Sequence, residues 1–227
     1  MEYLGPFYLG PNDTANNGIY TGDARELAKA IPDESVDLVF TDPVYDRIDD
    51  YRWLAETASR VLKMDGACLA FCGIGWQEET QAALRAAGRP VTWILPIVYS
   101  AGNTPRFHQK GFGKWTMLLW AGGEPVAHFC DAQISCFENK GSGHRWTKNM
   151  RPIAAYLKAF ACSNALVLDP FTGGGTVPAV CKMLGRRYLA FEIDPDVAQR
   201  ARDRVRDTQP PLFVPEPEQM EMTIDGD

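Results

Sequence analysis

Two short stretches of this sequence collect residue types suited to handling a nucleoside and the group attached to it. The first is Leu166-Val-Leu-Asp-Pro-Phe-Thr-Gly-Gly-Gly-Thr176. An apolar run ends in a carboxylate, Asp169, then come three glycines, and a helix opens near Thr176. Gly173–Gly175 lack a Cβ and tolerate positive φ, so the backbone there can approach a ligand closely. About 20 residues further on, a second apolar run ends in Glu192, an acid placed to accept hydrogen bonds from both hydroxyls of a ribose. The second stretch is Val36-Asp-Leu-Val-Phe-Thr-Asp-Pro-Val-Tyr45. Asp42 and the carbonyl of Pro43 are two neighbouring acceptors, matching the two hydrogens of an amino group. Tyr45 adds an aromatic face on which a nucleobase can stack. Asp-Pro by itself serves equally well as a turn, so the second stretch gains its meaning from the first.

The glycine stretch fits more than one nucleoside cofactor. A dinucleotide fingerprint, G-x-G-x-x-G, would place its third glycine at Pro178, which cannot give the close helix–strand packing a glycine allows. Asp169 would also repel an approaching pyrophosphate, whereas it would attract the ammonium and sulfonium of S-adenosylmethionine. The carboxylate therefore selects S-adenosylmethionine over NAD.

These stretches need a scaffold that delivers both to one place. Strands are expected at Gly18–Thr21, Val36–Thr41, Ala67–Cys72, Val91–Tyr99, Trp115–Ala121, Ala165–Leu168 and Arg187–Glu192. Helical periodicity falls at Ala24–Ile31, Tyr51–Lys63, Gly75–Ala87, Ile153–Cys162, Val177–Leu184 and Asp196–Asp207. Strand and helix alternate, which predicts an α/β fold with a mostly parallel sheet. Alternation lapses between Val91 and Ala121, where an antiparallel pair at one sheet edge is expected. In parallel sheets ligands sit beyond the carboxyl ends of the strands, and both chemical stretches end strands.

The net charge of −6 conceals a contrast. Residues 101–160 hold eight Lys or Arg against Glu124, Asp131 and Glu138, giving +5 there and −11 elsewhere. Aromatic side chains interleave these cations, so a phosphate-facing surface is expected within an acidic protein. Arg106, Lys110, Lys114, Lys140 and Arg145 are the candidate phosphate contacts. Residues 122–149 form a long irregular stretch of the kind that usually carries function. The six cysteines lack zinc-like spacing, so no metal site is expected and reduced thiols are. No apolar run is long enough to span a membrane, and the first residues do not read as a secretion signal, so a cytoplasmic protein is expected. After Asp207 four prolines and five acids without a base predict a disordered tail.

In their order and wording these blocks resemble the β-class amino-methyltransferases of DNA, in which the catalytic motif precedes the cofactor motif. Gly22-Asp23-Ala-Arg-Glu-Leu27 and Ile31–Tyr45 resemble the family's opening and its DPPY motif. Leu166–Thr176 resembles its D-P-F-x-G-x-G-T loop, and Gly185–Pro195 the strand that follows. The resemblance implies a Rossmann-like methyltransferase fold with a seven-stranded sheet, spanning residues 1–207. Residues 101–149 would recognise the target and residues 208–227 would form the tail. It also implies S-adenosylmethionine bound by Asp23, Ala24, Asp169, Phe171, Gly173, Gly175, Thr176 and Glu192. Asp23 would meet the adenine amino group, Phe171 the methionine end and Glu192 the ribose.

The implied reaction is direct transfer to the N6 amino group of adenine in double-stranded DNA. The base would be flipped out, with Asp42 and Pro43 accepting its amino hydrogens and Tyr45 stacking on it. Asp rather than Ser at position 42 favours adenine over the amino group of cytosine. Cytosine-N4 transfer, a non-catalytic DNA- or cofactor-binding relative, and a homodimer stay open. Two departures stand out. Val44 replaces the second proline of DPPY, although the acceptor carbonyl belongs to Pro43 and is retained. His144-Arg-Trp-Thr-Lys148 keeps the His and Lys of a family His-Pro-x-x-Lys-Pro segment and neither proline.

Overall fold

The computed structural model describes residues 17–100, 104–106, 111–135 and 149–209, with the backbone alone at 104–106, 111 and 112. Strand β1 (Asn17–Thr21) leads to α1 (Ala24–Leu27), β2 (Val36–Thr41) to α2 (Ile48–Val61), and β3 (Leu62–Cys72) to α3 (Gln77–Ala86). Next come β4 (Val91–Tyr99), a small hairpin of β5 (Thr104–Arg106) and β6 (Gly111–Gly113), β7 (Trp115–Gly122) and β8 (Gln133–Ser135). Alternation then resumes with α4 (Met150–Phe160), β9 (Leu166–Asp169), α5 (Thr176–Met183), β10 (Arg187–Glu192) and α6 (Pro195–Asp207).

Among the described residues, eight strands form one sheet in the order β1-β10-β9-β2-β3-β7-β4-β8. β7 pairs antiparallel with β3 and β4, and every other neighbour pair is parallel. The α/β class and the antiparallel pair therefore appear as expected. The eighth strand, β8, is an addition to the seven expected: three residues are too few to display alternation. It lies beside β4 with Val98 opposite Ile134.

Each face of the sheet is covered by helices. Leu38, Phe40, Leu69, Leu118 and Val167 pack beneath α4, α5 and α6 through Ile153, Tyr156, Val177, Val180 and Ala198. Val39, Cys68, Leu119, Leu168 and Leu189 pack beneath α1, α2 and α3 through Leu27, Leu54, Ala58 and Leu84. Burial on both faces explains why these strands read as continuous apolar runs. Helix ends follow capping chemistry: Asn149 accepts from the Arg151 N–H, and Asp194 accepts from the N–H groups of Asp196 and Val197 ahead of Pro195. Arg202 of α6, 8% exposed, donates to the Ile19 carbonyl and the Thr21 hydroxyl and fastens α6 along β1. Among the described residues no helix is long and apolar enough to cross a membrane.

One feature of the strand order places the site. β2 and β9 are parallel neighbours, yet β2 connects through α2 outward to β3, while β9 connects through α5 the other way to β10. Their exit loops therefore diverge and open a crevice at their carboxyl ends, where ligands bind in doubly wound sheets.

Candidate active site

The crevice is bridged at its floor. Thr41, the last residue of β2, donates from Oγ1 to Oδ1 of Asp169, the last residue of β9, at 2.7 Å. This bond joins the two chemical stretches, which lie 128 residues apart in sequence. Asp169 is buried at 3% exposure. Burial pushes its carboxyl up to about 7, opposed by the hydrogen bond from Thr41 and reinforced by the nearby Asp42. A carboxylate held at that poise gains from a cationic ligand, whose charge would favour its ionised form.

The loop leaving β9 is organised from within. Glu192, at the end of β10, accepts from the Gly173 N–H through Oε2 at 3.0 Å and from the Asp194 N–H through Oε1 at 2.9 Å. Its own carbonyl accepts from the Gly22 N–H at 2.9 Å, which sets the exit of β1 beside it. Each carboxylate oxygen retains a second acceptor site, enough for a pair of ribose hydroxyls. Gly173 and Gly175 both have positive φ, +49° and +71°, but serve different ends. A Cβ on Gly175 would stand 2.8 Å from the Cβ of Ala201 in α6, so this glycine permits helix packing. A Cβ on Gly173 would meet nothing within 4 Å, so this position faces the open crevice. Thr176 turns towards α6 as well: its Oγ1 accepts from Arg204 at 2.8 Å.

Asp23 and Ala24 lie across the crevice where β1 gives way to α1. Asp23 is the exposed N-cap of that helix and accepts from the Arg25 N–H at 2.8 Å; Ala24 is buried behind it. Phe171 is half-buried and meets the Trp53 ring of α2 edge-on, with centroids 5.7 Å apart and planes at 86°.

The loop leaving β2 projects outward. Asp42 is partly exposed, Pro43 is buried, and Val44 and Tyr45 are 48% and 36% exposed. The Tyr45 hydroxyl lies 3.4 Å from Thr116 Oγ1 on β7. Burial drives the phenol pKa upward, and Asp42 beside it adds to the shift through charge and hydrogen bonding. Gly73, after β3, lies under this loop: a Cβ there would come within 3.2 Å of Tyr45 Cβ.

The fold thus gathers Asp23, Ala24, Asp42, Pro43, Tyr45, Asp169, Phe171, Gly173 and Glu192 at one edge, with Gly175 and Thr176 behind them against α6. Of the five basic candidates, Lys114 is exposed just before β7. Arg106 lies in β5, where the backbone alone is described, and Lys110, Lys140, Arg145, His144 and Lys148 fall outside the described residues, as does the tail from 210. Thr41, Arg25, Asp50, Trp53 and Thr116 carry no signal of such a role in the sequence alone. A threonine ending an apolar strand, or a tryptophan on a helix, looks like ordinary core until the neighbours are known.

The profile of a DNA methylase family, N6_N4_Mtase, matches residues 77–203, more than half of the chain. The match includes the glycine loop and Glu192 but begins after Asp42. The type II methyltransferase M.HinfI of Haemophilus influenzae is 24% identical over 264 aligned residues, which cover 86% of this chain and 69% of M.HinfI. In fold, the chain is similar to the M1.HpyAVI–SAM complex, with a TM-score of 0.70, 23% identity, and coverage of 82% of this chain and 98% of that one. It is also similar to the PvuII DNA methyltransferase, described as cytosine-N4-specific, with a TM-score of 0.75, 15% identity, and coverage of 85% and 87%.

Proposed function

The chain belongs to the DNA methylase family whose profile it matches, and we propose that it transfers a methyl group from S-adenosylmethionine to the N6 amino group of adenine in a specific sequence of double-stranded DNA. The observation that carries this reading is the placement of Asp42 and Asp169 at the ends of two adjacent parallel strands, joined by the Thr41 hydroxyl. An acceptor pair for an amino group and a cradle for a cationic ligand thereby open into one crevice.

The residues present fit that cofactor. The open space at Gly173 admits a ligand close to the backbone, and the buried Asp169 suits a positive centre and would repel a pyrophosphate. When bound, S-adenosylmethionine supplies an electrophilic methyl group. Glu192 orients the ribose, Asp23 and Ala24 meet the adenine, and Phe171 walls the methionine end, while Gly175 and Thr176 hold the loop against α6. Asp42 and the Pro43 carbonyl accept the two hydrogens of the target amino group, turning its lone pair towards the crevice. Tyr45 stacks on the base after it leaves the duplex, a step that costs a few kcal/mol. Positioning of this kind accounts for much of the acceleration such a reaction needs. Arg106, Lys110, Lys114, Lys140 and Arg145 contact phosphates, so DNA affinity falls as salt rises.

The test is to incubate the protein with labelled S-adenosylmethionine and plasmid DNA and to identify the modified nucleoside. N6-methyladenine is expected. Label recovered as N4-methylcytosine would keep the mechanism and reassign the base. Absence of label in DNA, from folded protein that binds the donor, would leave a non-catalytic relative.

A further inference from the structure

A chain of contacts links the two ends of the crevice along α1 and α2. Asp23 caps α1 through the Arg25 N–H at 2.8 Å. The Arg25 guanidinium pairs with Asp50 Oδ1 at 2.7 Å and lies over the Trp53 ring, 5.8 Å from its centroid. The Trp53 ring meets Phe171 edge-on at 5.7 Å. The Asp50 side chain is only 6% exposed, whereas that of Arg25 is 43% exposed. One end of the ion pair is therefore a buried anion, which stays fixed as long as its partner does.

This arrangement is more than is needed to pack two helices. Ala24 and Leu27 of α1, with Tyr51, Leu54, Ala55 and Ala58 of α2, already supply apolar packing on the side facing the sheet. Asp50 reaches out to Arg25, and Trp53 extends to a loop residue belonging to another strand. An edge-to-face aromatic pair holds a ring in a defined orientation rather than merely burying it. The cation over the Trp53 face constrains that ring in turn.

We infer that Trp53, held by the Arg25–Asp50 ion pair, is a positioning residue that fixes the Phe171 wall and ties it to the Asp23 end of the cofactor crevice. The inference rests on the proposed function, because it presumes that Phe171 and Asp23 face S-adenosylmethionine. Trp53 itself is given no contact with the ligand. Its effect passes through Phe171, and the effect of Arg25 and Asp50 passes through Trp53.

The experiment is calorimetric binding of S-adenosylhomocysteine to the full chain, its Trp53→Ala and Trp53→Phe variants, and Asp50→Asn, with thermal melts run on each. Trp53→Ala is expected to weaken binding roughly three- to tenfold, the scale of one lost edge-to-face contact. Trp53→Phe, which keeps a ring beside Phe171, should recover most of that loss. Asp50→Asn should shift affinity in the same direction as Trp53→Ala while leaving a folded protein. In turnover assays the loss should appear in the KM for the methyl donor more than in kcat. Binding at wild-type strength by folded Trp53→Ala, even with a lowered Tm, would reduce the cluster to glue between α1 and α2 and overturn the inference. Failure of Trp53→Phe to recover binding would do the same. Should the wild-type chain itself bind neither S-adenosylmethionine nor its demethylated product, the proposed function fails first and this inference with it.

Discussion

The loops that follow β9 and β2 leave the same edge of the same sheet and differ in how far they stand out into solvent. After β9 the carboxylates are already engaged: Glu192 accepts two backbone N–H groups and Asp169 accepts from Thr41. After β2 the chain holds Val44 and the Tyr45 ring out towards solvent. The first loop has a shape before any ligand arrives. In the second, Tyr45 is tied to Thr116 and to Asp42, yet the loop stands out from the sheet. A small, invariant ligand rewards a preformed cradle, since little has to be ordered on binding. On the proposed function, a base extracted from a duplex would bring its own bulk, and a loop that receives it gains from standing clear.

Four perturbations would break or sharpen this contrast. The largest effect is expected at Asp42. Asp42→Ala removes one of two acceptors and leaves the Pro43 carbonyl. Methyl transfer should fall by about 10²–10³ while donor binding persists, the usual cost of losing one preorganised transition-state partner. Transfer near the wild-type rate would mean that the loop after β2 is only a turn. Next come the two glycines. Gly175→Ala should lower stability by roughly 1–3 kcal/mol through overpacking against Ala201, on top of about 1–2 kcal/mol for its own left-handed conformation, read as a drop in Tm. Gly173→Ala has open space around it and should lower stability less, by about 1–2 kcal/mol for the left-handed conformation, with its main effect on donor affinity. Equal Tm losses for the two would remove the distinction drawn between packing and ligand approach.

Tyr45→Ala should weaken capture of the flipped base by roughly 1–3 kcal/mol, measured as DNA affinity with a mismatched or abasic partner opposite the target. Tyr45→Phe keeps the ring, loses the contact with Thr116, and should retain most of that affinity.

The smallest effect is a pH shift at Asp169. Its folded-state pKa of about 7 lies above the ordinary 3.8, so the folded chain holds this proton more tightly than the unfolded one. Its contribution to stability is complete below 3.8 and is lost as pH rises to about 7. Donor binding should run the other way, strengthening as the carboxyl ionises through about 7 and releasing a proton. Asp169→Asn should flatten both dependences. The hydrogen bond from Thr41 pulls the pKa down, so Thr41→Val should move the binding transition to higher pH. Binding that ignores pH between 5 and 9 would show that Asp169 does not respond to the ligand's charge.

The sequence foretold some elements to the residue and missed others for identifiable reasons. β2, β4 and β10 match their expected limits because both ends of each run change sharply in character. β3 begins at Leu62, five residues early, because Lys63, Met64 and Asp65 interrupt the apolar run where the register to β2 shifts between Val36 and Leu38. α2 begins at Ile48 rather than Tyr51, since Asp49 and Asp50 favour a first helical turn without adding to an apolar stripe. The acids at strand ends were legible because a carboxylate closing an apolar run stands out. The partition between Gly173 and Gly175 was not, because it depends on Ala201 approaching from α6. Trp53 falls within the apolar periodicity of the helix expected at Tyr51–Lys63, and its contact with Phe171 emerges only when α2 and the glycine loop are brought together.

The Arg202 guanidinium, which fastens α6 along β1, also determines what β1 can do as the outermost strand of the sheet among the described residues. The outer strand of a sheet carries backbone acceptors that can recruit a strand from another chain, a common start to aggregation. Here the Ile19 carbonyl already receives two N–H groups from Arg202, at 3.1 and 2.6 Å. A foreign strand laid along β1 would have to displace a buried charge at that point before its own ladder could form. α6 therefore shields the end of the sheet as well as covering its face.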